Sequence, residues 1–128
     1  MNTLYGEVIA EHWKRPRNHG ALEGGADVSR EELNPLCGDR LRLELRIGNE
    51  SITEARFRGD ACMVATAAAS LLTSAIQGMP VGEARAFSQE RLLGLLGGPL
   101  RPSRVACAQL VLTALHEGLK ARAAGVAA

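Results

Sequence analysis

From Leu41 to Ile47 the chain reads Leu-Arg-Leu-Glu-Leu-Arg-Ile, apolar and charged residues alternating without a fault. Successive side chains of a strand point to opposite faces, so this run presents one apolar face to a core and one charged face to water. Gly48-Asn49-Glu50 supplies turn chemistry, and Ser51 to Arg58 resumes as a second strand, giving an antiparallel hairpin. Ile52, Ala55 and Phe57 slip out of strict alternation, which predicts a bulge. Gly59 breaks the hairpin.

Elsewhere the periodicity is helical. Leu4, Val8, Ile9 and Trp13 predict a short helix ending before Pro16, with Thr3 as its N-cap. Val64, Ala68, Leu71, Leu72, Ala75 and Ile76 share one face of an alanine-rich helix that stops at Gly78 and Pro80. Val81 to Leu96 holds one or two short helices, closing at Gly97-Gly98-Pro99. Pro102 suits the first turn of a last helix, whose stripe is Val105, Ala108, Leu112, Leu115 and Leu119. Gly20 to Leu33 lacks a period and is expected to be a mobile loop, and Ala124 to Ala128 a frayed tail. With no repeat or boundary in 128 residues, the expectation is a single domain, 1–128.

Composition narrows the function classes. Aromatic residues are 3% and the net charge is +1, so neither base stacking nor a general affinity for polyanions is expected, and no nucleic-acid partner. No apolar run approaches the roughly 18 residues of a membrane span, and the opening residues lack a secretory pattern. The expected location is cytoplasmic. His12, Lys14, Arg15, Arg17 and His19 form a basic cluster, read either as a solvated turn or as a docking surface for an acidic partner. His12 itself is either a packing residue or a distant metal ligand.

Three cysteines are an odd number, which in a reducing compartment suggests metal binding, catalysis or simple burial rather than disulfides. In Asn34-Pro35-Leu36-Cys37-Gly38-Asp39, Pro35 resists a helix or central strand and Gly38 lets the chain turn, so a thiol and a carboxylate can face one small object. Sulfur and carboxylate oxygen both ligate zinc and iron. Cys62 falls between the hairpin and the alanine-rich helix, and Cys107 in the first turns of the last helix. Both lie near helix N-termini, where lowered thiol pKa values are expected. The residues alone leave open whether Cys37, Asp39, Cys62 and Cys107 form one site, or whether Cys107 is a small buried hydrophobe.

The motifs resemble those of the IscU/SufU/NifU-type iron–sulfur cluster scaffold proteins along nearly the whole chain. Leu4-Tyr5, His12 and Pro16-Arg17-Asn18-His19-Gly20 resemble the family's opening. Asn34 to Asp39 resembles its NPxCGD, Phe57 to Cys62 its second cysteine motif, and Arg104-Val105-Ala106-Cys107 its RxxC. The resemblance implies an α+β fold, a small antiparallel β-sheet packed against helices. It implies that Cys37, Asp39, Cys62 and Cys107 hold a labile [2Fe–2S] cluster, or zinc in its absence, with a cysteine desulfurase as sulfur donor and apo-proteins as acceptors. It also implies a second role, that of a zinc-dependent sulfurtransferase in which Cys107, with Cys62 as the other candidate, accepts persulfide sulfur.

Departures from the motifs bear on that choice. Ala106 stands where the IscU branch has a histidine before its third cysteine, a likeness to the SufU branch. Only 45 residues separate Cys62 from Cys107, leaving little room for the extra stretch of the SufU branch. Ala61 replaces the usual glycine before the second cysteine.

Overall fold

The alternating run becomes the middle strand of a three-stranded antiparallel sheet, β1 (Val28–Asn34), β2 (Asp39–Gly48) and β3 (Ser51–Arg58), in the order β1-β2-β3. The computed structural model of the protein describes residues 6–98 and 100–125. Leu41, Leu43 and Leu45 are buried on the inner face of β2, as their period requires. The bulge is where the sequence placed it: Arg46 pairs with Glu54 but Ile47 with Ile52, which leaves Thr53 over. That extra residue brings Ile52 onto the buried face with Ala55 and Phe57. Asn49 and Glu50 both have positive φ, 53° and 56°, as a two-residue hairpin turn demands.

Helices α1 (Gly6–Lys14), α2 (Met63–Ile76), α3 (Val81–Arg85), α4 (Gln89–Leu95) and α5 (Pro102–Ala123) complete the α+β fold. Among the described residues of the expected α1 stripe only Ile9 is buried, while Val8 and Trp13 stay exposed. Thr3 and Leu4 lie outside the described residues, as do Pro99 and the last three residues of the expected tail. α2 corrects the one-faced reading. Leu71 and Ala75 are only half-buried, whereas Ala65, Ala67, Ala69, Ser70 and Thr73 are buried around the rest of the helix. Small side chains let α2 run through the core between α1, α5 and β3, where a bulky stripe would hold them apart. The α5 stripe is buried from Ala108 through Leu119, while Val105 at its start stays half-buried.

A second correction concerns Gly20 to Leu33, half of which is strand β1 rather than loop. Seven residue pairs tie β1 to β2, from Val28↔Leu45 to Asn34↔Asp39. The inner face of β1 carries Val28 and an Arg30–Glu32 ion pair (2.9 Å). Packing against α5 is close, for a Cβ at Gly118 would stand 2.7 Å from the Val28 side chain.

The free edge of β3 is covered by two pieces of backbone, which removes an aggregation-prone edge. Gly20 N donates to Phe57 O (2.8 Å) and Phe57 N to Asn18 O (3.0 Å), while Ile52 N donates to Met79 O (2.9 Å). The Asn18 side chain pins its turn to α2 by donating to Thr73 Oγ1 (3.1 Å) and Ser74 Oγ (3.2 Å). The basic cluster is largely engaged within the chain. Arg15 and Arg17 pair with Glu11 (2.7 and 3.1 Å), and the His19 ring meets Phe57 edge-on (centroids 5.4 Å apart). His12 Nδ1 lies 2.7 Å from the Ser70 hydroxyl, and burial, with Arg17 nearby, holds its pKa below the ordinary value. His12 is thus used in packing.

Candidate metal centre

Cys37 rides on the turn between β1 and β2. Asn34 and Asp39 are the last paired residues, so Pro35-Leu36-Cys37-Gly38 forms the loop. Asn34 closes it twice, accepting Gly38 N on its carbonyl (2.8 Å) and Leu36 N on Oδ1 (3.1 Å). Gly38 reverses the chain at φ +77°, a conformation that disfavours other residues. Cys37 is therefore exposed, at the tip of a rigidly paired hairpin.

Asp39 begins β2 and turns its side chain toward the interior, 7% exposed. Its Oδ1 accepts the Cys62 amide N–H (3.0 Å). Cys62 is the N-cap of α2, its sulfur accepting from Ala65 N at 3.4 Å. Cys107 is buried in α5, with its thiol 3.5 Å from the Ser103 carbonyl that accepts from it. Ligand atoms of Cys37, Asp39 and Cys107 all lie within 4.8 Å of one another. Cys62 stands beside this trio, tied to Asp39 through its N–H and close enough to Cys107 to perturb it. Sulfurs around a tetrahedral zinc stand about 3.8 Å apart, so closing on an ion asks for a shift of about 1 Å, within reach of a turn residue such as Cys37.

One observation tests whether a cation fits here. Asp39 Oδ2 is buried and has no hydrogen-bond partner among the described residues. A buried carboxylate oxygen left bare is costly. The donor set that surrounds it, thiols and a carboxylate, is one that zinc and iron accept.

The expected lowering of thiol pKa does not hold at Cys107. Burial first, then the hydrogen bond and charge of Cys62 and the charge of Cys37, push this thiol up to about 12. Cys107 lies beyond the first turn of α5, where the helix dipole has faded. Arg104, one turn earlier, hydrogen-bonds the Cys107 side chain and partly offsets the rise. The sequence showed Arg104 only as a motif letter, and its spacing of three on a helix is the signal that places it beside Cys107. Arg104, Ser103, Leu36 and the two cysteines border a hollow of about 330 Å³.

A pH dependence follows. Cys107 is a neutral thiol at pH 7 in the metal-free protein, and a metal must displace its proton. Apparent zinc affinity is expected to rise about tenfold per pH unit between pH 6 and 8 for that proton alone. Metal-free protein treated with iodoacetamide at pH 8 should be alkylated at exposed Cys37 well before Cys107, as read by peptide mass spectrometry. Equal rates at the two positions would contradict the raised Cys107 pKa.

A sheet-and-helix domain with cysteines gathered around a buried aspartate defines a known class. The family model for the NifU-like N terminal domain matches residues 4–125, and the chain belongs to that family. It is 33% identical to the "Zinc-dependent sulfurtransferase SufU" of Bacillus subtilis over 136 aligned positions, covering 93% of this chain and 91% of that one. It is 35% identical to the "Iron-sulfur cluster assembly scaffold protein IscU" of Streptococcus pyogenes over 137 positions, covering 94% and 85%. Both alignments exceed the 128 residues here, so each relative carries residues that have no counterpart in this chain. A crystal structure described only as that of a hypothetical protein matches with TM-score 0.77 at 31% identity, covering 94% of this chain and 99% of that one. No helix of the described residues is long and apolar enough to cross a membrane.

Proposed function

We propose that the chain is an iron–sulfur cluster assembly scaffold. It receives sulfur from a cysteine desulfurase, builds a labile [2Fe–2S] cluster on Cys37, Asp39, Cys62 and Cys107, and passes the cluster to apo-proteins in the cytoplasm. The observation that carries this reading is the bare Asp39 Oδ2 set among the thiols. Thiolates hold iron–sulfur clusters, whereas a carboxylate is a harder donor that holds the same iron less firmly. A cluster that must leave is well served by one such weak ligand and by Cys37 on an exposed turn. Zinc occupies the same residues when no cluster is present.

A second reading, the zinc-dependent sulfurtransferase in which Cys107 takes persulfide sulfur, is favoured by Ala106 and by likeness to the Bacillus relative. Both relatives, one under each name, carry residues absent here, so chain length by itself does not divide the two readings. Anaerobic reconstitution with ferrous iron, cysteine, a desulfurase and a thiol reductant, which supplies the electrons that ferrous iron does not for taking persulfide sulfur to sulfide, separates them. A scaffold develops a [2Fe–2S] chromophore that an apo-ferredoxin then removes. Retained zinc, faster desulfurase turnover and no chromophore would overturn the scaffold reading in favour of the second.

A further inference from the structure

The outer face of the sheet carries an arrangement that strand pairing ordinarily avoids. Arg42 and Arg58 are direct partners across β2 and β3, so their side chains leave the same face together. Arg40 lies two residues along β2 and joins them there. Like charges directly opposite one another destabilise a sheet, and acidic neighbours only partly compensate. Glu31 is shared between Arg40 (3.5 Å) and Arg42 (3.2 Å). Glu44 lies 3.7 Å from Arg58, too far for a good hydrogen bond, and its other oxygen already accepts Leu22 N (2.9 Å). Arg40, Arg42 and Arg58 line a hollow of about 370 Å³ together with His19, Glu31 and Asp60. His19 is held in place by its edge-on contact with Phe57. Gly59 also lines the hollow.

From this juxtaposition we infer that Arg40, Arg42 and Arg58 form an oxyanion site that takes the phosphate group of a small soluble molecule. Guanidinium forks match phosphate oxygens two at a time, and an anion between them relieves the repulsion that the pairing builds in. This site lies on the opposite face of β2 from the buried Asp39 side chain and does not depend on the reading proposed for the cysteines.

The test is titration of the isotope-labelled, metal-free protein with inorganic phosphate and with pyrophosphate, each against sodium chloride of equal ionic strength. Saturable shifts confined to residues around 19, 31, 40–42 and 58–60 are expected, with pyrophosphate the tighter ligand. Arg42→Gln and Arg58→Gln, each checked for an unchanged fold by its spectrum, should weaken pyrophosphate binding by at least about tenfold, as loss of a charge-assisted hydrogen bond requires. Lys120→Gln, at an exposed position on α5, should leave binding unchanged. The inference is overturned if chloride reproduces the shifts, if they centre elsewhere, or if Lys120→Gln weakens binding as much. It is also overturned if only phosphatidic-acid vesicles or polyglutamate bind while both soluble phosphates fail.

Discussion

Gly59→Ala is expected to destabilise the protein on the order of 4 kcal/mol, enough to remove much of a typical domain's stability. A Cβ at position 59 would stand 2.1 Å from Arg40 O and 2.9 Å from both Arg40 C and Leu41 Cα. Those are backbone atoms of the central strand, so no side chain can swing aside to make room. Gly59 also sits at φ +148°, which L side chains rarely adopt. The strain falls where the site is assembled. Arg40 N donates to Asp60 O (2.8 Å), and two residues on Cys62 N donates to Asp39 (3.0 Å). Pushing residue 59 away from β2 therefore separates Cys62 from Asp39 as well as weakening the fold. Urea denaturation measures the first effect, and zinc affinity of whatever remains folded at low temperature measures the second. Gly82→Ala is the control: this glycine lies in α3 with nothing within 4 Å of its would-be Cβ, so alanine should be neutral or slightly stabilising. If Gly59→Ala melted within about 1 kcal/mol of the parent, the close approach of the two segments would be wrong.

How far the sequence discloses this fold depends on where its apolar residues lie. β2 is legible because its whole inner face is leucine, and β3 because its one irregularity is an extra residue at the bulge. α5 shows a long stripe. β1 is illegible: its inner face carries the charged pair Arg30 and Glu32, the Arg30 stem lying close to Gly118 of α5, and its one large apolar residue after Val28 is Leu33, 54% exposed. Backbone pairing to β2 and the closeness allowed by Gly118 hold it, and neither leaves a period in the letters.

The candidate site divides the same way. The turn chemistry at Asn34 to Asp39 is local, so its loop reading survives, but its role as the tip of a β1–β2 hairpin needed the unseen strand. Cys62 as a helix cap follows from its place before an alanine run. The raised pKa of the Cys107 thiol is not legible in the sequence, because distance from a helix start does not disclose burial depth, and burial outweighs the dipole there. Only the resemblance argued that the four side chains converge; spacings of 25 and 45 residues could not.

Asp39→Asn is expected to lower zinc affinity by at least about a hundredfold, as loss of a charged ligand requires, while leaving the metal-free protein at least as stable as the parent. The two readouts move apart because the two oxygens have different work. Oδ1 accepts the Cys62 amide N–H, and asparagine keeps that acceptor. Oδ2 is buried with no hydrogen-bond partner among the described residues, so the carboxylate gains nothing there that an uncharged amide group would lose. Asp39→Ala separates the roles further. It deletes the acceptor at the entrance to α2, and leaving Cys62 N–H unpaired should cost about 1 kcal/mol in urea denaturation of the metal-free protein. On the scaffold reading, a cluster assembled on the alanine variant keeps its thiolates, loses its hard ligand, and should be retained longer and handed to apo-protein more slowly. A competing chelator reports zinc affinity, and the decay of the visible chromophore reports retention. If Asp39→Asn bound zinc as tightly as the parent, the carboxylate would not be a ligand. If the alanine variant released its cluster at the parental rate, the case for Asp39 as the residue that keeps the cargo labile would be lost.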